Sequence, residues 1–346
     1  VKQGDAGSIR AIDLFSGPGG LTTGLKQADF KVVGAIEFEP VACETYAVNH
    51  PEVKLLRKDI RQVDPVAFME SLNLKSGELE LLAGCPPCQG FSTIGTRNRK
   101  KDDERNDYVF QMLRFIEAFL PKTIMMENVP GLYKDDRMKA VEKRLRELNY
   151  SFEMAVLNTA DYGVPQRRRR MIMLCSRLGD LHVDKDTSTI SPVTVRDVLA
   201  GLPHPEATSD PIHKIMEKRS DRVMKMISLI PHDGGSRNSL PPELQLDCHK
   251  HTDGFKDVYG RMAWDRPSPT ITGGCSSPSK GRFLHPEEDR TITLREAALL
   301  QTFPPDYTFS LKGGKSRVAV MIGDALPPVF IRHHASVVAK HLAEAV

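Results

Sequence analysis

Between Ile9 and about Arg177, short β-branched runs alternate with amphipathic stretches, and this rhythm restricts the possible folds more than any other feature of the chain. Strands are predicted at IRAIDLF, KVVGAIE, LELLAG, KTIMMEN, FEMAVLN and RMIMLCS. Between them, LTTGLKQA, VACETYAV, DYVFQMLRFIEAF and RMKAVEKRLREL carry apolar residues at three- and four-residue spacing, as crossover helices do. Strands alternating with helices are the sequence form of an α/β fold with a parallel sheet covered by helices.

From about Leu178 to Asp289 the rhythm breaks, and this stretch holds 11 of the 24 prolines. Turn signals such as HDGGS, LPPEL and SPSKG mark it as a smaller, loop-rich lobe. An amphipathic helix at LREAALLQTF, a strand-like VAVMIG and a final helix near VVAKHLAEA then return the chain to the first domain. The expected division is therefore 1–177, 178–289 and 290–346, in keeping with a length of 346 residues at roughly 150 per domain. Hydrophobic residues at 40% and charged residues at 27% exclude collagenous and wholly disordered chains. Without an apolar run long enough to span a bilayer or an apolar leader, a cytoplasmic location with no membrane partner is expected. Six cysteines in such a chain read as reduced thiols, and the net charge of +3 is too small to demand a polyanionic partner.

The first strand runs into Ser16-Gly17-Pro18-Gly19-Gly20 and then a helix, where open α/β sheets bind ligands. The dinucleotide pattern G-x-G-x-x-G fails at Thr22, and no Gly-Lys-Ser/Thr follows to cradle phosphate. Glu37 ends the second strand, 20 residues after Gly17, where a carboxylate can accept from both ribose hydroxyls, and Asp59 ends a third strand-like segment within reach of an adenine amino group. Each has a plain alternative as a solvated strand end. Together they fit an adenosine that carries no phosphate, for which S-adenosylmethionine is the obvious candidate.

Gly84-Cys85-Pro86-Pro87-Cys88-Gln89-Gly90 follows LELLAG, so Cys88 sits on a stiff loop suited to presenting a nucleophile. The C-x-x-C spacing also admits a redox pair or half a zinc site, but two intervening prolines and the lack of a second C-x-x-C disfavour both, and no metal is expected. Cys85 reads as a small core residue. Glu127 in Glu127-Asn128-Val129 ends an apolar strand, where a carboxylate is costly unless used or paired. Gln166-Arg167-Arg168-Arg169-Arg170 enters the last strand, whose alternation would send Arg168 and Arg170 to one face; a surface basic patch is the alternative.

In this order, DLFSGPGG, PPCQGFS, ENV, QRRRR and LREAALLQTFP resemble the motifs of the DNA (cytosine-5) methyltransferases, over Asp13 to Pro328. The short stretch ahead of the first motif fits the bacterial type. The resemblance implies a Rossmann-like methyltransferase sheet with a smaller target-recognition domain in the slot 178–289, S-adenosylmethionine as cofactor and S-adenosylhomocysteine as its product. It makes Cys88 the nucleophile on cytosine C6, with Glu127 as a protonated acid on N3, Arg170 on O2 and Arg168 in support. Asp13, Phe15, Ser16, Gly17, Gly19, Gly20, Glu37, Phe38, Asp59, Ile60, Pro87 and Asp324 become the cofactor residues.

A stacked base is out of reach of these groups, so the cytosine must be flipped out of duplex DNA. The basic loop after Cys88 is similar to the family's active-site loop, and Gln89, Ser92, Arg97, Arg99 and Lys100 become DNA contacts, with Gln166, Thr270, Thr272, Lys280 and Arg282 further along; plain solvated charge is the alternative for Lys280 and Arg282. Cys248-His249-Lys250-His251 with Cys275 matches no standard zinc spacing. The chain departs from the family at Gly323-Asp324, where Gly-Asn is usual, which exchanges an amide donor for a charge at the methionine end of the cofactor. A monomer acting in the nucleoid, with a restriction endonuclease as an admissible companion, completes the expectation. The alternatives are a transfer RNA cytosine-5 methyltransferase of the same family and a catalytically inactive DNA-binding regulator.

Overall fold

The computed structural model describes residues 9–87, 107–245 and 257–345. The chain divides into two compact units, one of residues 1–162, 169–189 and 326–346, the other of residues 163–168 and 190–325. This division differs from the expected lobe at 178–289: the second unit also takes the start of the arginine run and the segment 290–325.

The first unit holds a seven-stranded sheet of β1 (Arg10–Leu14), β2 (Lys31–Glu37), β3 (Lys54–Arg57), β4 (Leu81–Gly84), β5 (Thr123–Asn128), β6 (Ser151–Asn158) and β7 (Arg169–Ser176), in the order β3-β2-β1-β4-β5-β7-β6. The first five strands run parallel to one another, but β7 runs antiparallel to both β5 and β6. The expectation of a wholly parallel sheet is thus corrected at one strand. The helix DRMKAVEKRLRE and its turn return the chain for β6, and β7 then follows through Gly163–Arg168 rather than through a crossover helix, so no right-handed parallel connection is imposed on it.

Strands β4 and β5 are buried along their whole length, as central strands covered on both faces should be. After α1 (Gly20–Lys26) and α2 (Pro40–Asn49), the helices α3 (Pro65–Ser71), α4 (Tyr108–Phe119) and α5 (Asp136–Glu147) pack on one face through Phe68, Met112, Phe115, Phe119, Met138 and Val141. The α3 helix went unforeseen, although Asp64 caps it and Pro65 occupies its first position, a readable start signal. Helix α1 (Gly20–Lys26) packs against the C-terminal helix Pro328–Glu344, which begins far ahead of the expected VVAKHLAEA.

In the second unit the strand-like VAVMIG lies within the helix Gly314–Asp324. Its β-branched valines suggested a strand, yet Val318, Ala319, Met321 and Ile322 are buried while Val320 is exposed, a helical rather than an alternating pattern. Burial overrode propensity. Among the described residues, no helix is long and apolar enough to cross a membrane.

His334 on the C-terminal helix is fully buried among the rings of Tyr162, Phe330 and His333, and among the described residues neither of its nitrogens has a hydrogen-bond partner. Burial, then the neighbouring His333, pushes its pKa down to about 3. Unfolding returns the imidazole to about 6.5, so between these values the unfolded chain binds the extra proton, and stability falls as pH drops through that window. At pH 5 this one group should cost about 2 kcal/mol relative to pH 7.5. Urea unfolding at the two pH values should show a difference smaller by that amount in His334→Leu; an unchanged difference would contradict the assignment.

Candidate active site

The chain turns back between β1 and β4, and in open α/β sheets such a reversal leaves a crevice beyond the carboxyl ends of the strands. The loop after β1 is built to be rigid. Phe15 takes a left-handed backbone at φ +61°, uncommon for a bulky residue, and Gly19 sits at φ +100°, a conformation that favours glycine. Ser16 N–H donates to Ile36 O at 3.1 Å and Gly19 N–H to Ser16 O at 2.9 Å.

The Glu37 carboxylate is fixed by three backbone donors, Gly17 N–H at 2.8 Å, Phe38 N–H at 2.9 Å and Glu39 N–H at 2.8 Å. Burial outweighs these bonds and pushes its pKa up from the ordinary carboxylate value. Phe38 beside it leaves 63% of its surface exposed, a free apolar face at the rim. Asp59 stands two residues past β3, held below its ordinary pKa by hydrogen bonds from the Arg61 guanidinium, and the adjacent Ile60 is buried.

Asp13 is wholly buried. Its Oδ2 accepts from Thr22 N–H at 3.1 Å and Thr22 Oγ1 at 2.7 Å, while Oδ1 has no hydrogen-bond partner among the described residues. Burial pushes its pKa up to about 7 against the pull of Thr22. An open acceptor, a glycine turn, a clamped carboxylate and an exposed ring form a chemically suitable cradle for an adenosine with a cationic tail. Gly20 opens α1 and Pro87 is half-buried, so both also lie in described structure.

Near the end of β5, Glu127 meets the Arg170 guanidinium at 2.9 Å, and both side chains are largely buried. The antiparallel course of β7 makes this pair: its amino-terminal Arg170 arrives at the edge where β5 ends. In a parallel strand the same residue would lie at the opposite edge. The expected alternation of Arg168 with Arg170 needs correction, because the strand begins at Arg169. Arg168 precedes it and is buried in the second unit, donating to Ile271 O and Gly323 O at 2.8 Å each.

Asn128, which the sequence reading passed over, donates through Nδ2 to Pro86 O at 2.8 Å and accepts from Val129 N–H at 2.8 Å. Its position beside Glu127 at a strand end was the available signal. Cys85, just ahead of Pro86, has its thiol pushed well up by burial and by the charges of Glu127 and Asp13, against the opposing pull of Arg170. It is therefore a protonated, unreactive sulfur. Cys88, Gln89, Ser92, Arg97, Arg99 and Lys100 lie outside the described residues, as does Cys248.

In the second unit Thr270 donates to Arg167 O at 2.8 Å, Thr272 Oγ1 accepts from Gly274 N–H at 3.3 Å, and Lys280 is exposed. Two expected DNA contacts instead face inward. Gln166 is fully buried, and Arg282 donates to the carbonyls of Gly234, Gly235 and Arg261 and pairs with Asp257. A loop-rich backbone needs such donors to satisfy its carbonyls. Asp324 is exposed as the last residue of its helix.

A glycine turn at a sheet's switch point, with a carboxylate–guanidinium pair along the same edge, marks an α/β enzyme of the nucleoside-cofactor class. The family model described as C-5 cytosine-specific DNA methylase matches residues 9–340. The Type II methylase M.HgiDII of Herpetosiphon aurantiacus is 35% identical over 332 residues, covering 91% of both chains. The Type II methyltransferase M1.HphI of Haemophilus parahaemolyticus is 31% identical, covering 96% of this chain and 87% of its own. Among solved structures, an Escherichia coli prophage protein assigned as a DNA modification methyltransferase shares the fold at a TM-score of 0.75 and 22% identity, over 97% of this chain and 100% of that one. The chain belongs to the family of C-5 cytosine-specific DNA methylases, and is a DNA (cytosine-5) methyltransferase of a family that depends on S-adenosylmethionine.

Replacing Asn128 by Asp keeps its shape and its acceptor but sets a carboxylate oxygen against the Pro86 carbonyl. Losing a buried hydrogen bond of this kind costs about 1–3 kcal/mol. Asn128→Asp should lower kcat about tenfold or more in steady-state methylation assays, with the thermal transition as control for folding; a kcat within twofold of wild type would show that Pro86 is held by other means.

Proposed function

We propose that the chain methylates C5 of a cytosine flipped from a specific duplex sequence, through a covalent bond between Cys88 and C6. The observation that carries the reading is the pair of Glu127 near the end of β5 and Arg170 at the start of β7, in the same unit as the Asn128-anchored Pro86 that leads into Cys88. Cytosine C6 is weakly electrophilic, so C5 becomes nucleophilic only after a thiolate adds at C6. The Cys88 thiolate forms that bond. Negative charge then moves toward N3 and O2, where Glu127, protonated, donates to N3 and Arg170 to O2. S-adenosylmethionine supplies, when bound, a methyl group on a sulfonium. C5 takes up the methyl group, the C5 proton leaves to a base or water, and the C6–S bond breaks to release Cys88 and restore the aromatic ring.

In this reading Glu37 receives the ribose hydroxyls, Asp59 the adenine amino group, Phe38 offers a face to the base, and Asp13 with the loop Phe15–Gly20 lies toward the methionine end. For Asp324, where asparagine is usual, the α-ammonium is the ligand group that its charge favours. Thr270, Thr272 and Lys280 belong to the target-recognition lobe, and the Type II relatives support a setting beside a restriction endonuclease.

Cys88→Ala should abolish methylation while duplex binding persists. Incubation with 5-fluorocytosine duplexes and S-adenosylmethionine should trap an adduct at Cys88; methylation without the sulfur would remove the proposed nucleophile. Asp324→Asn should leave cofactor affinity equal or weaker, and a gain of about tenfold, 1.4 kcal/mol, would reject the ammonium contact.

A further inference from the structure

Three side chains of the first unit, one just ahead of the glycine turn in sequence and two on the helices after it, form a single hydrogen-bonded chain. Asp13 on β1, Thr22 on α1 and Tyr46 on α2 are all wholly buried. Asp13 Oδ2 accepts from Thr22 N–H at 3.1 Å and from Thr22 Oγ1 at 2.7 Å, and the same hydroxyl oxygen lies 2.8 Å from Tyr46 Oη. Asp13 Oδ1 has no hydrogen-bond partner among the described residues.

The charge on Asp13 decides which way the protons of this chain point, because a hydroxyl has one proton to give. With Asp13 ionised, Thr22 gives its proton to Oδ2, so Tyr46 must donate to Thr22 Oγ1. With Asp13 protonated at Oδ2, the carboxyl group donates to Thr22 and Thr22 to Tyr46. A phenol is the more acidic of the two hydroxyls and hence the better donor, so Tyr46 favours the ionised arrangement. Burial pushes the Asp13 pKa up to about 7 against the bonds from Thr22, which makes those bonds decisive near neutrality.

The other groups around Asp13 do not supply this support. Glu37, at the end of β2, carries the same charge and opposes its ionisation. Cys85, after β4, is held as a protonated thiol. His50 packs its ring against Tyr46 at 4.9 Å between centroids, and burial and the charge of Lys26 push its pKa down to about 4, which leaves it neutral. Lys26 itself pairs with Glu52 at 2.6 Å.

We propose that Tyr46 is a positioning residue which, acting through Thr22, keeps Asp13 ionised so that its open oxygen receives the α-ammonium of the cofactor. This rests on the proposed place of Asp13 toward the methionine end. An orphaned acceptor calls for a donor, and of the two cationic groups of S-adenosylmethionine only the α-ammonium has protons to give. S-adenosylhomocysteine carries the same group. A neutral carboxyl group offers it no charge, so affinity should rise with pH as Asp13 loses its proton.

Two measurements on the full chain test the two halves. In ligand-free protein labelled at the aspartate carboxyl carbons, NMR follows the Asp13 signal, identified by its loss in Asp13→Asn, as pH is raised through neutrality. Tyr46→Phe should raise the proton affinity of Asp13 about threefold or more, the effect of one buried hydrogen bond, and Thr22→Ser, which keeps the hydroxyl, should not. A smaller rise in Tyr46→Phe overturns the proposal. If that variant does not fold, Thr22→Val takes its place with the same expectation; failure of both to fold marks the chain of hydroxyls as structural only and equally overturns it. Calorimetry then gives the Kd of S-adenosylhomocysteine on either side of the Asp13 titration. Wild-type affinity should rise about threefold or more with pH, the rise should move to higher pH in Tyr46→Phe, and it should vanish in Asp13→Asn. A wild-type affinity that does not rise, or a rise that Asp13→Asn retains, overturns the contact with the α-ammonium. Failure of the wild type to bind S-adenosylhomocysteine at any pH would instead count against the cofactor reading itself.

Discussion

Three carboxylates, Asp13, Glu37 and Glu127, are buried at one edge of a single sheet, and the rest of the first unit is arranged to tolerate them. Burying a charged carboxylate without compensation is expensive. Each is compensated differently. Glu37 collects three backbone N–H groups from the turn it helps to shape, Glu127 takes a guanidinium, and Asp13 has two donors from Thr22 with one oxygen left open among the described residues. The fully clamped group suits a neutral sugar, whereas the open one suits a ligand that brings its own donor or positive charge.

The same field acts on Cys85. Carboxylates beside Cys85 oppose thiolate formation, and burial adds to the effect, so that sulfur stays protonated across the physiological range. A nucleophilic thiol on this loop must sit where cations outweigh these carboxylates. Arg170, brought to the edge by the reversed strand, is the described cation nearest in role to that need. Reversal of a single strand thereby converts an arginine run at the start of β7 into a partner for the carboxylate at the end of β5.

Much of this could be read from residue order. Sheet and crossover helices followed from periodicity, and the glycine turn, Glu37 and Glu127 lie at the strand ends where the sequence sets them. The direction of β7 was not legible, since an apolar strand reads identically in either direction. VAVMIG was misread because its valines favour strands locally, while the neighbours that bury one helical face come from elsewhere in the chain. Asn128 and Gln301 escaped notice for a related reason: an amide gives no periodic signal, and its partners, the carbonyls of Pro86, Ile322 and Ala325, have no side-chain identity to read. A lone Gln on the buried face of LREAALLQTF was nevertheless a clue, because a buried amide must find partners.

The second unit shows why counting cations overstates DNA contact. None of the seven sheet strands belongs to it, so many of its carbonyls depend on side chains for donors. Arg261, wholly buried, donates to the carbonyls of Ile227, Ile230, His285 and Glu288, which closes the end of one helix and braces a turn. Arg282 and Arg168 do similar work elsewhere in the unit. Arginine suits the task because its planar fork presents five donors and never deprotonates. A guanidinium spent on backbone carbonyls is not available to a phosphate, whereas the exposed ammonium of Lys280 is, so the salt dependence of DNA binding should follow the exposed cations and not the composition.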